Sequence, residues 1–154
     1  MYFPLFTDLT KKEILVVGAG AIGTRRIKTL LPFAGSITVI AKEIPEDLIK
    51  YCEENGGETV VVFLEKNFEE ADLEGADMVL AATSDKALNA RIYELCKERG
   101  IPANDASDKN LCDFHFPSVI NDGNIVIGIG ASGTDHGKVK VTRIFLEEAL
   151  KSRK

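Results

Sequence analysis

The segment that most constrains this chain is Glu13 to Phe33, "EILVVGAGAIGTRRIKTLLPF". An apolar, β-branched run ends in glycine. The spacing Gly18-x-Gly20-x-x-Gly23 follows at once, and Ile22, Ile27, Leu30 and Leu31 then recur at helical spacing. Strand, glycine turn and helix in that order dictate three separate tasks: a tight turn, a close approach of backbone to a diphosphate, and close packing of helix on strand. The free N–H groups at the helix start favour an anion. Gly18, Ala19, Gly20, Ala21, Ile22 and Gly23 are therefore candidate dinucleotide-binding residues. The competing reading is a purely structural glycine turn.

The rest of the chain repeats this alternation. "SITVIA", "TVVVFL", "DMVLAAT" and "IPAND" read as strands. "PEDLIKYCEEN" opens with proline and acids and reads as a helix, as does "SDKALNARIYELCKERG", with its Ser/Asp start and Arg-Gly stop. Short connections between alternating strands and helices predict an α/β fold, a Rossmann-type parallel sheet with helices on both faces. The pattern changes near residue 112. "FPSVI", "NDGN" and "IVIGIGA" predict a hairpin, and "KVKVTRIFLEEALKSRK" a closing amphipathic helix. We expect a dinucleotide-binding domain over residues 1–112 and a small hairpin-plus-helix region over 113–154. A two-stranded piece is rarely stable alone, so pairing with a second copy is expected.

Composition narrows the partners. With 154 residues, 45% hydrophobic, 28% charged and a net charge of −5, the chain can bury a core. It offers no basic surface for nucleic acid or an anionic membrane, and no apolar run long enough to span a bilayer. The start lacks the marks of a signal peptide. Cys52, Cys96 and Cys112 are scattered and odd in number, which fits a reducing cytoplasm and neither a disulfide framework nor a structural zinc.

Ligands of open α/β sheets lie beyond the carboxyl ends of the strands. That places Lys42 and Glu43 after the second strand, Thr83, Ser84 and Asp85 after the fourth, and Asn104 at the fifth, beside the cofactor. Glu43 suits the ribose hydroxyls of NAD, whereas Lys42 suits a 2′-phosphate. Ser84 or Asp85 equally suits a helix cap. Tyr93 and Lys97 form a YxxxK pair, but in the middle of a helix that should pack on the sheet, where it is read as a chance match.

"MYFPLFTDLTKKEILVVGAGAIGTRRIKTLL", "AATSDKALNARI" and "LCDFHFPSVI" together resemble the precorrin-2 dehydrogenase family, the amino-terminal module of siroheme synthases. The resemblance runs over almost the whole chain. It implies NAD-dependent oxidation of precorrin-2 to sirohydrochlorin, with sirohydrochlorin ferrochelatase activity on Fe²⁺ in some members. It also implies a homodimer, with the tetrapyrrole between the glycine-rich domain and the dimer region. The family's loop aspartate falls on Ser107 here, with Asp105 and Asp108 on either side. Asp105, Ser107, Asp108 and His115 are thus the candidate catalytic residues. Ser132, Gly133 and Thr134 are candidate donors to substrate carboxylates, with Lys138, Lys140 and Arg143 as possible added charge. In an extended strand, Asp113 and His115 would share one face, with Cys112, Phe114 and Phe116 on the other. Two groups do not make a metal site, so no resident metal is expected. The chain also stops after one helix where longer relatives carry a further helical region, so part of the substrate lid is expected either to be missing or to come from the partner subunit. The competing class is a non-catalytic NAD(H)-sensing domain of the potassium-transport type. Such domains keep a clean acid after the second strand and lack "LCDFHFP".

Overall fold

A computed structural model describes residues 2–152. Five strands form a parallel sheet in the order β3-β2-β1-β4-β5: β1 Glu13–Val17, β2 Ser36–Ala41, β3 Val60–Glu65, β4 Met78–Ala81 and β5 Ala103–Asp105. Between them run α1 Ala21–Leu30, α2 Glu46–Asn55 and α3 Lys86–Arg99, with a 3₁₀ turn Glu70–Leu73 before β4. The expected α/β architecture is therefore present. The chain moves outward from β1 through β2 to β3, then returns to the other side of β1. Right-handed crossovers in opposite directions put α1 and α2 on one face of the sheet and α3 on the other.

Strand burial explains why these segments read as continuous apolar runs. Leu15, Val17, Ile40, Val79 and Ala81 pack with Leu73, Ile92, Leu95, Cys96 and Ala103 in one buried cluster, the α3 side. The alternate residues Ile14, Val16, Ile37, Val39 and Leu80 are just as buried, because successive side chains point to opposite faces. Only the edge strand β3 departs, with Val60, Val62 and Leu64 exposed.

The local stop and start signals are used as the sequence suggests. Asp85 caps α3, its carboxylate accepting from the backbone N–H groups of Ala87 (2.9 Å) and Leu88 (3.1 Å). Gly100 ends that helix in the left-handed region.

The chain divides into two compact units. One is Asp8–Phe114. The other joins residues 2–7 to residues 115–152. The N-terminal contribution to the second unit had no signature in the sequence. In that unit β6 Ser118–Asp122 and β7 Ile125–Ile129 form an antiparallel hairpin, followed by α4 His136–Lys151. The extended run expected from Cys112 through Phe116 is not a strand. Cys112 makes one isolated bridge to Asn104, and Asp113 folds back onto β5.

A Cβ at Gly23 would run into the carbonyl oxygen of Gly18. The packing of α1 on β1 therefore has no room for a methyl group. Gly23→Ala is expected to lower stability by about 1–3 kcal/mol, read as a drop in the urea midpoint with an unchanged slope; an unchanged midpoint contradicts this packing.

Candidate active site

The strand register sets the position of the site. Val17 is paired with Ile40 on one side and Ala81 on the other, and Ala81 in turn with Asp105. Four strands thus end almost level. Gly18 to Gly23, Ala41 to Glu43, Ala82 to Asp85 and Ala106 to Asp108 all emerge from the same edge. Strand order reverses between β1 and β4, the point at which open α/β sheets form their ligand crevice.

The three motif glycines meet three different surroundings. Gly18 has φ +105°, and a Cβ there would stand 2.5 Å from the Ala82 carbonyl oxygen, so the turn lies tight against the end of β4. Gly23 is packed on Gly18. A Cβ on Gly20 would meet nothing within 4 Å. Gly20 is also the N-cap of α1, and no side chain caps that helix. An open backbone and uncapped N–H groups suit the diphosphate of a nicotinamide dinucleotide. Lys42 and Glu43 stand exposed just beyond β2.

Beyond β4 and β5 lies a continuous polar network. The Asn89 side chain, on α3, is wholly buried. Its Oδ1 accepts from the Thr83 N–H (3.1 Å) and the Thr83 hydroxyl (2.6 Å). Its Nδ2 donates to the Thr83 carbonyl (3.1 Å) and to Ser107 Oγ (3.3 Å). A backbone N–H can only donate, which fixes the orientation of the amide. Ser107 Oγ in turn donates to Asp105 Oδ1 at 2.6 Å, and the Ser107 N–H donates to the same oxygen at 2.7 Å. Asp105 is buried, whereas Ser107 reaches the surface. Where the family resemblance expects a carboxylate, position 107 holds a serine whose hydroxyl is bonded to the carboxylate of Asp105. Asp108 Oδ1 instead accepts from the N–H and Nδ2 of Asn110. Asn104 donates to the Phe114 carbonyl at 2.7 Å, while its buried Oδ1 has no hydrogen-bond partner among the described residues. Burying such an acceptor costs about 1–3 kcal/mol unless water or a ligand donor meets it.

Several groups serve other purposes. Asp85 is used in capping α3. Tyr93 and Lys97 both reach Asp113 Oδ1, at 3.3 and 3.2 Å, and Asp113 Oδ2 accepts from the Ala103 N–H at 3.0 Å. The YxxxK pair is a clamp that holds the chain beside β5. Burial, then the neighbouring Asp113, pushes the Tyr93 phenol up, so it stays protonated at neutral pH. Asp113 is therefore bound to β5 and α3, and it does not form one face of a strand with His115. Cys112 is half-buried, 3.3 Å from each of the carbonyl oxygens of Asp105 and Asp108. Burial pushes its thiol up, which keeps it protonated and a poor metal ligand. The half-buried Arg26 of α1 is pushed down to about 10, chiefly by burial and then by Arg25, so it stays charged at neutral pH. Among the described residues, no three or more His, Cys, Asp and Glu side chains gather where they could hold a metal ion.

The remaining candidates belong to the second unit. His115 stacks on Tyr2, ring centroids 4.0 Å apart. Ser132 is a non-glycine residue at φ 49°, followed by Gly133 at φ 73°. Ser132 Oγ accepts from the Tyr2 N–H at 3.4 Å, and the Thr134 hydroxyl donates to the Ala131 carbonyl at 2.6 Å. Arg143 bonds Glu147 Oε1 at 2.7 Å and Ser118 Oγ at 3.4 Å. The N–H of Lys138 is capped by Asp135, and the Lys140 residue is exposed.

Asn89 and the Ser107–Asp105 bond were missed in reading the sequence. One signal existed: Asn89 lies three and seven residues before Ile92 and Cys96, on the buried face of α3, where a polar residue needs partners.

Fold, glycine turn and level strand ends define a dinucleotide-binding α/β domain. A family model described as putative NAD(P)-binding matches residues 5–118. The chain belongs to that family, and its cofactor is a nicotinamide dinucleotide. It is 34% identical over 149 residues to a siroheme synthase of Ruthia magnifica subsp. Calyptogena magnifica and 36% identical over 149 residues to that of Sodalis glossinidius. Each match covers 97% of this chain and 31% of the relative. A probable multifunctional siroheme biosynthesis protein HemA of Ruminiclostridium josui is 37% identical over 139 residues, 90% of this chain and 26% of that protein. The chain thus spans under a third of the length of these curated relatives. Among solved structures, "SirC, precorrin-2 dehydrogenase" matches 96% of this chain and 71% of its own, with TM-score 0.73 and 26% identity.

Gly20→Ala separates binding from folding. A methyl group there touches no protein atom, so stability should move by less than about 1 kcal/mol. It would stand where the diphosphate approaches, so NAD affinity by calorimetric titration should fall at least about tenfold. Unchanged affinity would remove the diphosphate from this turn.

Proposed function

We propose that this chain oxidises precorrin-2 to sirohydrochlorin with NAD as hydride acceptor, as a step toward siroheme. Likeness along 96% of the chain to a protein described as a precorrin-2 dehydrogenase supports the reaction. The siroheme synthase relatives support the same substrate and favour an enzyme over a potassium-transport sensor. The structural observation that carries the reading is the Ser107–Asp105 bond at 2.6 Å, on the sheet edge that also holds the glycine turn.

The oxidation removes a hydride and a proton. The bound nicotinamide supplies the hydride acceptor. The protein must supply the proton acceptor, a contribution typically worth about 10²- to 10⁴-fold. Ser107 Oγ has two lone pairs. One accepts from Asn89, and the other is left for the substrate proton, as the serine's own proton passes to Asp105 Oδ1. Asp105 is then the base and Ser107 the contact, with Asp108 outside the relay.

NAD is proposed over NADP because Glu43 stands two residues beyond β2, where a carboxylate would accept from the ribose hydroxyls. Ser132, Gly133 and Thr134 are assigned to substrate carboxylates on the family resemblance; Ser132 and Gly133 are both in the left-handed region, a backbone form that favours anion-binding turns. A homodimer is proposed from α4, where Val141, Ile144 and Phe145 are exposed at helical spacing, and from Ile125 and Val126 exposed on β7. The same unit holds an apolar cavity of about 190 Å³ lined by Ile125, Ile127, Leu146, Ala149 and Leu150. The three free thiols, Cys52, Cys96 and Cys112, suit the cytoplasmic setting proposed here.

Anaerobic incubation with precorrin-2 and NAD tests the reading. NADH absorbance and sirohydrochlorin should rise together, faster with NAD than with NADP. Asp105→Ala should cost about 10² or more in kcat, and Asp108→Ala far less. Absence of turnover with NAD bound would refute the dehydrogenase; equal losses at the two aspartates would refute the relay.

A further inference from the structure

We propose that Asn89 is a positioning residue for this reaction, coupling the loop after β4 to the Ser107–Asp105 pair. The proposal rests on the dehydrogenase reading above. The amide of Asn89 uses both lone pairs and both hydrogens, three of its bonds on Thr83 and one on Ser107 Oγ. Thr83 lies immediately after Ala82, the residue against which Gly18 is packed, so its backbone borders the dinucleotide crevice. Ser107 follows the end of β5, one strand further on. No hydrogen bond joins Thr83 to Ser107 directly among the described residues. Asn89 is what they share.

The direction of the chain of bonds matters. By donating to Ser107 Oγ, the amide occupies the lone pair that would otherwise compete for a donor, and leaves the serine hydrogen to Asp105. Without that donor, the Ser107 hydroxyl is oriented, among the described residues, by its own bond to Asp105 Oδ1 alone. The Ser107 N–H still holds Asp105 Oδ1 at 2.7 Å, so the carboxylate stays in place while the relay atom loses its bond from Asn89. Asn89 itself is wholly buried and touches no substrate.

The two arms predict a split that a merely structural residue does not give. With precorrin-2 and NAD, Ser107→Ala lowers kcat and leaves KM for NAD unchanged. Asn89→Ala lowers kcat about tenfold, the effect of one lost hydrogen bond to the relay, and raises KM for NAD severalfold through Thr83. In the Ser107→Ala background, Asn89→Ala lowers kcat no further but still raises KM for NAD. Losses in kcat that multiply, or a KM that does not move, overturn the coupling. If Asn89→Ala does not fold, Thr83→Val replaces it, with the same non-multiplying kcat expected against Ser107→Ala. The coupling also has a readout without turnover. Ser107→Ala should shift the Thr83 amide resonance in ¹⁵N spectra, and cease to do so once Asn89 is alanine. A wild-type chain that binds NAD without oxidising precorrin-2 would sink the proposed function. A Thr83 amide indifferent to Ser107→Ala would sink the coupling, whatever the substrate.

Discussion

The contact between Gly18 and Ala82 is the constraint on which the site depends. β1 and β4 are neighbours in the sheet but far apart in sequence, and the turn after β1 closes tightly over the end of β4 because position 18 has no side chain and takes a positive φ. That closure aims the start of α1 across the crevice at the strand-order reversal. It also leaves Gly20 as the open point of the turn. The helix N-terminus then offers uncapped N–H groups to an anion. A packing constraint thus becomes a binding geometry.

The same register places the groups proposed to handle the proton. Because Ala81 pairs with Asp105, the loop after β5 starts level with the loop after β4. Asn89 reaches both from the helix that joins the two strands. The buried carboxylate of Asp105 would be costly alone. It is made acceptable by two short hydrogen bonds from Ser107, one of them the bond the reaction would use. In the proposed reaction, structure and chemistry would share that hydroxyl, with a serine standing where the family resemblance expects an acid.

Much of the first unit was legible in the sequence because its signals are local. Apolar β-branched runs, the glycine spacing, the Asp85 cap and the Gly100 stop each act within a few residues, and each was realised. The site was legible only to the level of the loop. Which of Asp105, Ser107 and Asp108 does what depends on hydrogen bonds across β4, α3 and β5, and no periodicity encodes those. Asp113 was misassigned for the same reason. Alternation predicts a face only for a chain that stays extended, and this one turns back when Asp113 meets the Ala103 N–H, Lys97 and Tyr93. The YxxxK spacing was read as a chance match, and its contact with Asp113 could be seen only with Asp113 in place. The joining of the first residues to the second unit is a long-range contact, and it had no sequence signature.

The central claim is that the dinucleotide lies at the reversal between β1 and β4. Backbone amide ¹H–¹⁵N spectra, recorded as NAD is added, test it most directly. The account predicts that the largest shifts fall on Gly18 to Gly23 and on Ala82 to Ser84, with Ser107 moving less and the residues of β7 hardly at all. Shifts concentrated on β3 or α2, with the glycine turn unmoved, would contradict it.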